Sequence, residues 1–433
     1  MHEASDNTSL ETIENHESSV RSYSRAFPAV FTRARGHVIE DEHGHEYIDF
    51  FAGAGALNYG HNDPQMKACL LEYIEGDGIT HSLDMATQAR SRFLQRFREV
   101  ILEPRGLDYR VMFPGPTGTN AVEAALKIAR KVTGRPTVMS FTNAFHGMTL
   151  GSLAVSGNAA KRAGAGTSLD DSVFIPFNHV FGEDGDSLDF LETMITSAGS
   201  GVDHPAAVIV ETVQGEGGIN TADIEWLQRL EKICRDQDIL LIVDDVQAGC
   251  GRTGPFFSFE AAGIAPDIVC LSKSISGYGL PLALTLIRPE HDCLSPGEHN
   301  GTFRGHNPAL LTATAALDYW ETDELQRDTE RKGVIVGQAL ADLAASHPVL
   351  GAEVRGRGLM QGLAVEPDGL SEAICARAFE QGLIVETSGP RDEVVKLLPP
   401  LTIDEAGLRR GLDRLHKAVA AAVAEYRPTE NAA

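Results

Sequence analysis

Three observations predict an α/β protein: a large domain on a mostly parallel central sheet, with a smaller α+β domain beside it. First, short apolar runs recur between about Asn62 and Trp320: "RVMF", "TVMSF", "AAVIVE", "ILLIVDD", "DIVCLS" and "LALTLI". They show no in/out alternation, so each suits a strand buried on both faces. Second, amphipathic helical stretches separate the runs, as crossovers between parallel strands require. Third, the pattern changes after about Thr322 to helices mixed with shorter strands. The expected division is residues 1–61 as an N-terminal segment joining the small domain, 62–320 as the large domain and 321–433 as the C-terminal small domain.

Taken in order, the stretch up to about Ser24 has no apolar periodicity and is expected to be mobile. "HVIEDEHGHEYIDFFAG" reads as a hairpin with Gly44 at its turn. "FPGPTGTNAVEAALKIARKVTG" predicts a strand at 111–113, a turn, and a helix from near Thr117 to Gly134. Ala121, Ala124, Ala125, Ile128 and Val132 share one face of that helix. Asn307-Pro308 is a helix-start signal, with a cap residue and then proline in the first turn. The C-terminal part predicts a helix over 332–346, a strand in "MQGLAVE", a helix in "SEAICARAFEQG", two short strands and a last helix near "DRLHKAVAAAVAEY". The tail "RPTENAA" is expected to be disordered.

The chain has 433 residues and a formal net charge of -24. That charge disfavours nucleic acid or an anionic membrane as main partner, since both need clustered Lys and Arg. It favours solubility and would suit a cytoplasm that grows concentrated. The 6 cysteines are scattered with no C-x-x-C pair, as in a reducing cytosol. No apolar run reaches the roughly 20 residues of a membrane span, and the polar, acidic start is not a signal peptide. A cytoplasmic location is expected.

In open α/β sheets ligands bind at the carboxyl ends of the strands, and four features lie there. The turn before "TGTNAVEAALK" feeds a helix N-terminus, where free N–H groups and the dipole suit a phosphate. Gly118 would allow close approach and Thr119 adds a hydroxyl; ordinary helix capping is the plainer alternative. "ILLIVDD" ends in Asp244 and Asp245, and a carboxylate at the end of a buried strand needs a partner. A protonated ring nitrogen, a metal, or an ion pair with Arg252 would each serve. No H-E-x-x-H or similar array is present, and no metal is expected. Lys273 follows "DIVCLS". Desolvation would lower its pKa, and a neutral amine can form a Schiff base with a carbonyl; a lysine reaching to solvent is the alternative. Phe145 and His146 follow "SFTNA", where an aromatic could stack on a flat ring or simply fill the core. Together the four fit one ligand, pyridoxal 5'-phosphate: phosphate, flat ring, ring nitrogen and aldehyde.

The segments "TGTNAVEAALK", "AFHG", "VETVQGEGG", "LLIVDDVQAGCGRTG", "LSKSISGYGLPL", "GTFRGHNP" and "KLLPPLTI" resemble those of class III aminotransferases, pyridoxal-phosphate enzymes of fold-type I. The resemblance runs from about Ser24 to Tyr426. It implies that Lys273 carries the cofactor aldehyde and shuttles a proton, and that Asp244 pairs with the ring nitrogen. Gln247 is implied at the ring hydroxyl, Val246 and Phe145 on the ring faces with His146 beside them, and Gly118 and Thr119 at the phosphate. Thr302 is implied at the phosphate of a neighbouring subunit, hence a homodimer. On the substrate side it implies Glu211, the gating glutamate Glu216, and a wall from Asn58 and Tyr59. Many relatives have arginine where this chain has Lys396, which cannot make a planar two-bond fork to a carboxylate. Within the family, "FFAGAGALNYGHNDP" and "VVKLLPPLTID" are similar to members that move the amino group of L-glutamate to L-aspartate 4-semialdehyde at the start of ectoine synthesis. Acetylornithine, ornithine and 4-aminobutyrate are the alternative substrates within the family, as is diaminobutyrate made for a siderophore. A non-catalytic pyridoxal-phosphate protein is the alternative from another class.

Overall fold

The computed structural model describes residues 8–180 and 186–426. The apolar runs pair as expected, into a seven-stranded sheet. In spatial order its strands are Arg110–Met112, Leu284–Ile287, Ile268–Leu271, Leu240–Asp244, Ala207–Val210, Val138–Phe141 and Ser172–Ile175. Leu284–Ile287 runs antiparallel to both neighbours, and the other pairings are parallel. The four central strands, from Ile268–Leu271 to Val138–Phe141, are buried at every position. That explains why their sequences do not alternate. Ser172–Ile175 lacks that signature because it is an edge strand with three half-buried residues.

The helix Gly118–Thr133 lies on this sheet, packed against Ile268–Leu271 and Leu284–Ile287. Four of its buried residues are alanines, so its axis can come close to the strands. Gly134 ends it with φ +69°, a left-handed conformation that glycine adopts without steric cost.

Two smaller four-stranded sheets follow, the first of which joins the chain ends. Phe31–Arg35, Val38–Asp41 and Glu46–Asp49 form an antiparallel meander, and Leu383–Ile384 adds to it in parallel. The other is antiparallel, in the order Glu353–Arg357, Met360–Ala364, Val394–Leu397, Glu386–Ser388. The helices Glu324–Ser346, Leu370–Glu380 and Glu405–Glu425 belong to the same C-terminal part.

Several elements differ from the sequence expectation. Thr8–His16 is helical, where no periodicity was expected; Leu10 and Ile13 are its half-buried apolar pair, too short a stripe to register as a pattern. The helix expected from Lys332 begins at Glu324. The strand Glu353–Arg357 was not expected, because "EVRGR" carries charge and a glycine. His306, not Asn307, holds the cap position of the helix Asn307–Ala316. Asn307 instead donates to Ile79 O at 2.8 Å and Ser82 Oγ at 3.2 Å, tying two loops to the helix start. The tail "RPTENAA" lies outside the described residues. Among the described residues no helix is long and apolar enough to cross a membrane.

Candidate active site

The residues singled out at the strand ends converge. Asp244 is the last residue of the fully buried strand Leu240–Asp244. Its Oδ2 lies 2.7 Å from His146 Nδ1, and its Oδ1 accepts from Val246 N at 3.2 Å. Burial alone would lower the His146 pKa, but the hydrogen bond and charge of Asp244 outweigh it and raise it. His146 therefore holds its proton more tightly than a free imidazole would. Its Nε2 has no hydrogen-bond partner among the described residues.

Asp245 turns the other way. It accepts from Ser258 N at 3.1 Å and from Ser258 Oγ. Burial pushes it up to about 7. The Arg252 ion pair weighed for these aspartates is not formed. Arg252 is fully buried and donates to Leu359 O at 3.1 Å, Pro399 O and Asn58 Oδ1. Burial lowers its pKa to about 9.

Lys273 opens a tight turn after the strand Ile268–Leu271, with φ +52°. Few residues other than glycine adopt that conformation. Its neighbour Ser274 anchors the turn: Oγ donates to Gly55 O at 2.7 Å and accepts from Asn58 N at 3.1 Å. Burial lowers the Lys273 pKa, Glu216 opposes that, and Lys396 adds to it. The amine thus gives up its proton more readily than a surface lysine.

Facing this turn is a charged cluster. Lys396 Nζ lies 2.7 Å from Glu216 Oε1 and 2.8 Å from Glu386 Oε1. Glu216 Oε1 also accepts from Gln247 Nε2 at 3.2 Å, and that amide donates to Ala54 O at 2.9 Å. Burial would raise Glu216, but Lys396 and Lys273 hold it down at about 2. Burial would lower Lys396, but the two carboxylates raise it instead. Lysine therefore makes here the pairing with Glu216 that the resemblance gives to arginine.

At the helix N-terminus, Asn120 Oδ1 accepts from Thr117 N at 3.2 Å and from Thr117 Oγ1 at 2.8 Å. A Cβ built on Gly118 would come within 2.9 Å of Val246 Cγ1, so only glycine lets Val246 lie this close. Thr119 Oγ1 is 2.7 Å from Thr149 Oγ1 and 2.9 Å from Ser152 Oγ. Phe145 N donates to Glu211 Oε2 at 2.9 Å, and Lys161 Nζ sits 4.3 Å from the Phe145 ring centroid. Burial pushes Glu211 up to about 8, so it is mostly protonated at neutral pH.

Asn58 and Tyr59, expected to form a substrate wall, are both tied into the fold. Asn58 Nδ2 donates to Cys250 O at 2.8 Å and its Oδ1 accepts from Arg252. The Tyr59 hydroxyl accepts from Trp320 Nε1 at 2.8 Å within the core. Both side chains are buried with their polar ends occupied, so they hold the fold together. Thr302 is exposed, and its carbonyl lies 3.0 Å from His81 Nε2. Glu386 and Lys161 were missed by sequence reasoning. Glu386 was findable: a hairpin turned at "GPRDE" places it directly opposite Lys396.

The family model for aminotransferase class-III matches residues 19–419. The chain belongs to the class-III aminotransferases. It is similar, at 60% identity over 416 residues (96% of this chain, 97% of the relative), to diaminobutyrate--2-oxoglutarate transaminase of Halalkalibacterium halodurans. The Sporosarcina pasteurii protein of the same name is 61% identical over 411 residues, covering 94% of this chain and 96% of its own. Among solved structures, the ornithine aminotransferase of Toxoplasma gondii matches with a TM-score of 0.84 at 27% identity, over 96% of this chain and 95% of its own. An amine transaminase from an uncultivated Pseudomonas species, solved in its PLP-bound form, matches with a TM-score of 0.81 at 28% identity, over 94% and 97%. The fold shared with these aminotransferases is fold-type I. The side chains present fit the cofactor's parts: a glycine-lined helix start, a buried carboxylate paired with a histidine, and a lysine with a lowered pKa.

Proposed function

We propose that this aminotransferase uses pyridoxal 5'-phosphate to move the amino group of L-glutamate to the terminal aldehyde of L-aspartate 4-semialdehyde. The products are 2-oxoglutarate and L-2,4-diaminobutyrate. The observation that carries the substrate choice is near-full-length likeness, at about 60% identity, to proteins named diaminobutyrate--2-oxoglutarate transaminase. Likeness to the ornithine enzyme is only 27%.

Gly118 and Thr119 would hold the phosphate, Asp244 the ring nitrogen, and Val246 and Phe145 the ring faces. Gln247 would reach the ring hydroxyl by giving up one of its two present acceptors. When bound, the cofactor supplies an aldehyde for amine exchange and an electron sink for the charge left by a departing α-proton. Lys273, with its lowered pKa, can attack a carbonyl and can take and return that proton. The 2.7 Å contact between His146 Nδ1 and Asp244 Oδ2 would fix the carboxylate's orientation towards the ring nitrogen. Glu216 covers Lys396 and, by moving aside, would free its ammonium for a substrate carboxylate.

On this reading residues 62–320 carry the cofactor, and 1–61 with 321–433 form the smaller domain. Thr302 would complete the phosphate site of a second copy, so the working unit is a homodimer. The setting is the cytoplasm and the pathway ectoine synthesis during osmoadaptation, in keeping with the acidic surface. Light scattering tests the dimer: a mass of 46.5 kDa rather than twice that would count against it. The substrate test is a half-reaction. Cofactor-loaded protein is mixed with L-2,4-diaminobutyrate, L-ornithine or 4-aminobutyrate, and the visible absorbance is followed. Diaminobutyrate should react far faster; a faster reaction with ornithine or 4-aminobutyrate would refute the substrate assignment.

A further inference from the structure

Glu386 has no part in the mechanism above, yet it shares Lys396 with Glu216. The strands Glu386–Ser388 and Val394–Leu397 pair in a register that sets Glu386 opposite Lys396, where cross-strand side chains meet. Lys396 Nζ has a carboxylate oxygen at 2.7 Å on one side and another at 2.8 Å on the other. Lys396 is fully buried and Glu386 is 9% exposed. The hydroxyl of Tyr23 donates to Glu386 Oε2 at 3.3 Å, which ties the N-terminal segment to the cluster. The cluster borders the reactive amine: the charges of Glu216, Lys396 and Glu386 all act on Lys273.

One ammonium is shared between two carboxyl groups, Glu216 held down by Lys396 and Lys273 and Glu386 pushed up by its burial. A lysine with one partner would be fully exposed to an incoming carboxylate once Glu216 moved away. With Glu386 in place it stays compensated, and the freed Glu216 oxygen is an acceptor for a cation. The two proposed amino substrates differ in this respect. L-Glutamate carries a carboxylate on the reacting carbon. L-2,4-Diaminobutyrate carries hydrogens there, and its one carboxylate lies farther along the chain beside a second ammonium.

We propose that Glu386 is a specificity-determining residue: by holding Lys396 jointly with Glu216, it weakens the site's grip on a substrate carboxylate and favours the substrate that brings a second ammonium. This rests on the substrate pair proposed above.

The test is Glu386→Gln in the cofactor-loaded enzyme, with glutarate as an unreactive dicarboxylate probe measured by calorimetry. The variant should bind glutarate about tenfold tighter, a change of ~1.4 kcal/mol. The KM for L-glutamate should fall and the KM for L-2,4-diaminobutyrate should rise, a split in binding that a purely structural role would not produce. Unchanged glutarate affinity, or KM values moving in the same direction, would overturn the proposal. If Glu386→Gln does not fold, Glu386→Asp withdraws the carboxylate by one methylene and should shift glutarate binding in the same direction by a smaller factor; no shift overturns the proposal equally. A wild-type enzyme inert to diaminobutyrate would sink the substrate assignment, while the glutarate measurement would still decide the role of Glu386.

Discussion

Replacing Lys396 by methionine keeps an unbranched apolar stem and removes the ammonium. Glu216 and Glu386 then face each other without a cation between them. The structure sets the scale of the loss. Glu216 is held at about 2 instead of 4.5; at ~1.4 kcal/mol per pH unit this is worth ~3 kcal/mol, shared among Lys396, Lys273 and Gln247. Stranding the Glu386 carboxylate adds to it, and breaking a buried pair by removing one partner typically costs ~3–5 kcal/mol. Lys396→Met should therefore lose about 3–5 kcal/mol at neutral pH. The pH dependence separates charge from packing. In the wild type, Glu216 is depressed below its unfolded value, so its contribution is complete above 4.5 and lost as pH falls towards 2. In the variant, burial is opposed only by Lys273 and Gln247, so both carboxyl groups move upward and its stability falls as pH rises through their ionisation. The deficit should grow from about pH 5 towards about pH 8. Urea denaturation at constant saturating cofactor, followed by tryptophan fluorescence, measures it. A deficit constant across that range, or below ~1 kcal/mol at neutral pH, would refute the electrostatic account.

Lys273→Ala should abolish turnover and the visible absorbance of the bound cofactor; turnover at the normal rate would remove Lys273 from the mechanism. Asp244→Asn should keep cofactor binding but lower kcat by ~10²–10⁴, the usual weight of a positioned proton-holding group; an unaffected rate would count against its ring-nitrogen role. Gly118→Ala puts a methyl 2.9 Å from Val246 Cγ1. It should weaken cofactor binding in a spectroscopic titration while costing ~1–3 kcal/mol of stability; unchanged affinity would show that the helix start is not the phosphate site. Burial holds Glu211 at about 8 against 4.5 in the unfolded chain. From 4.5 to about 8 the fold thus binds a proton that the unfolded chain has lost, so this group makes stability fall as pH rises. Glu211→Gln should flatten that slope in melting curves; identical slopes in the two proteins would refute it.

The large sheet was legible because strands buried on both faces must be continuously apolar, and "ILLIVDD" or "DIVCLS" can satisfy little else. The residues ending those runs were legible for a related reason. A carboxylate or an amine after a buried strand costs free energy unless it has a task, so Asp244 and Lys273 stood out. Ser172–Ile175 and Glu353–Arg357 did not, because half-exposed edge strands obey no such constraint. For Asn58 and Tyr59, only the three-dimensional arrangement showed that Cys250, Arg252 and Trp320 meet their polar atoms.

The sequence by itself determined the sheet, the helix that begins at Gly118, and the side chains that sit at the strand ends. Those follow from local pattern and from the cost of burying charge. Tertiary structure alone decided which charges meet. Glu216 is 180 residues from Lys396, and Asp244 is 98 from His146. Such pairings depend on how sheets pack across one another, and a one-dimensional pattern carries no term for that distance. The same packing turned two adjacent aspartates into different groups, one facing a histidine and the other closed off against a serine.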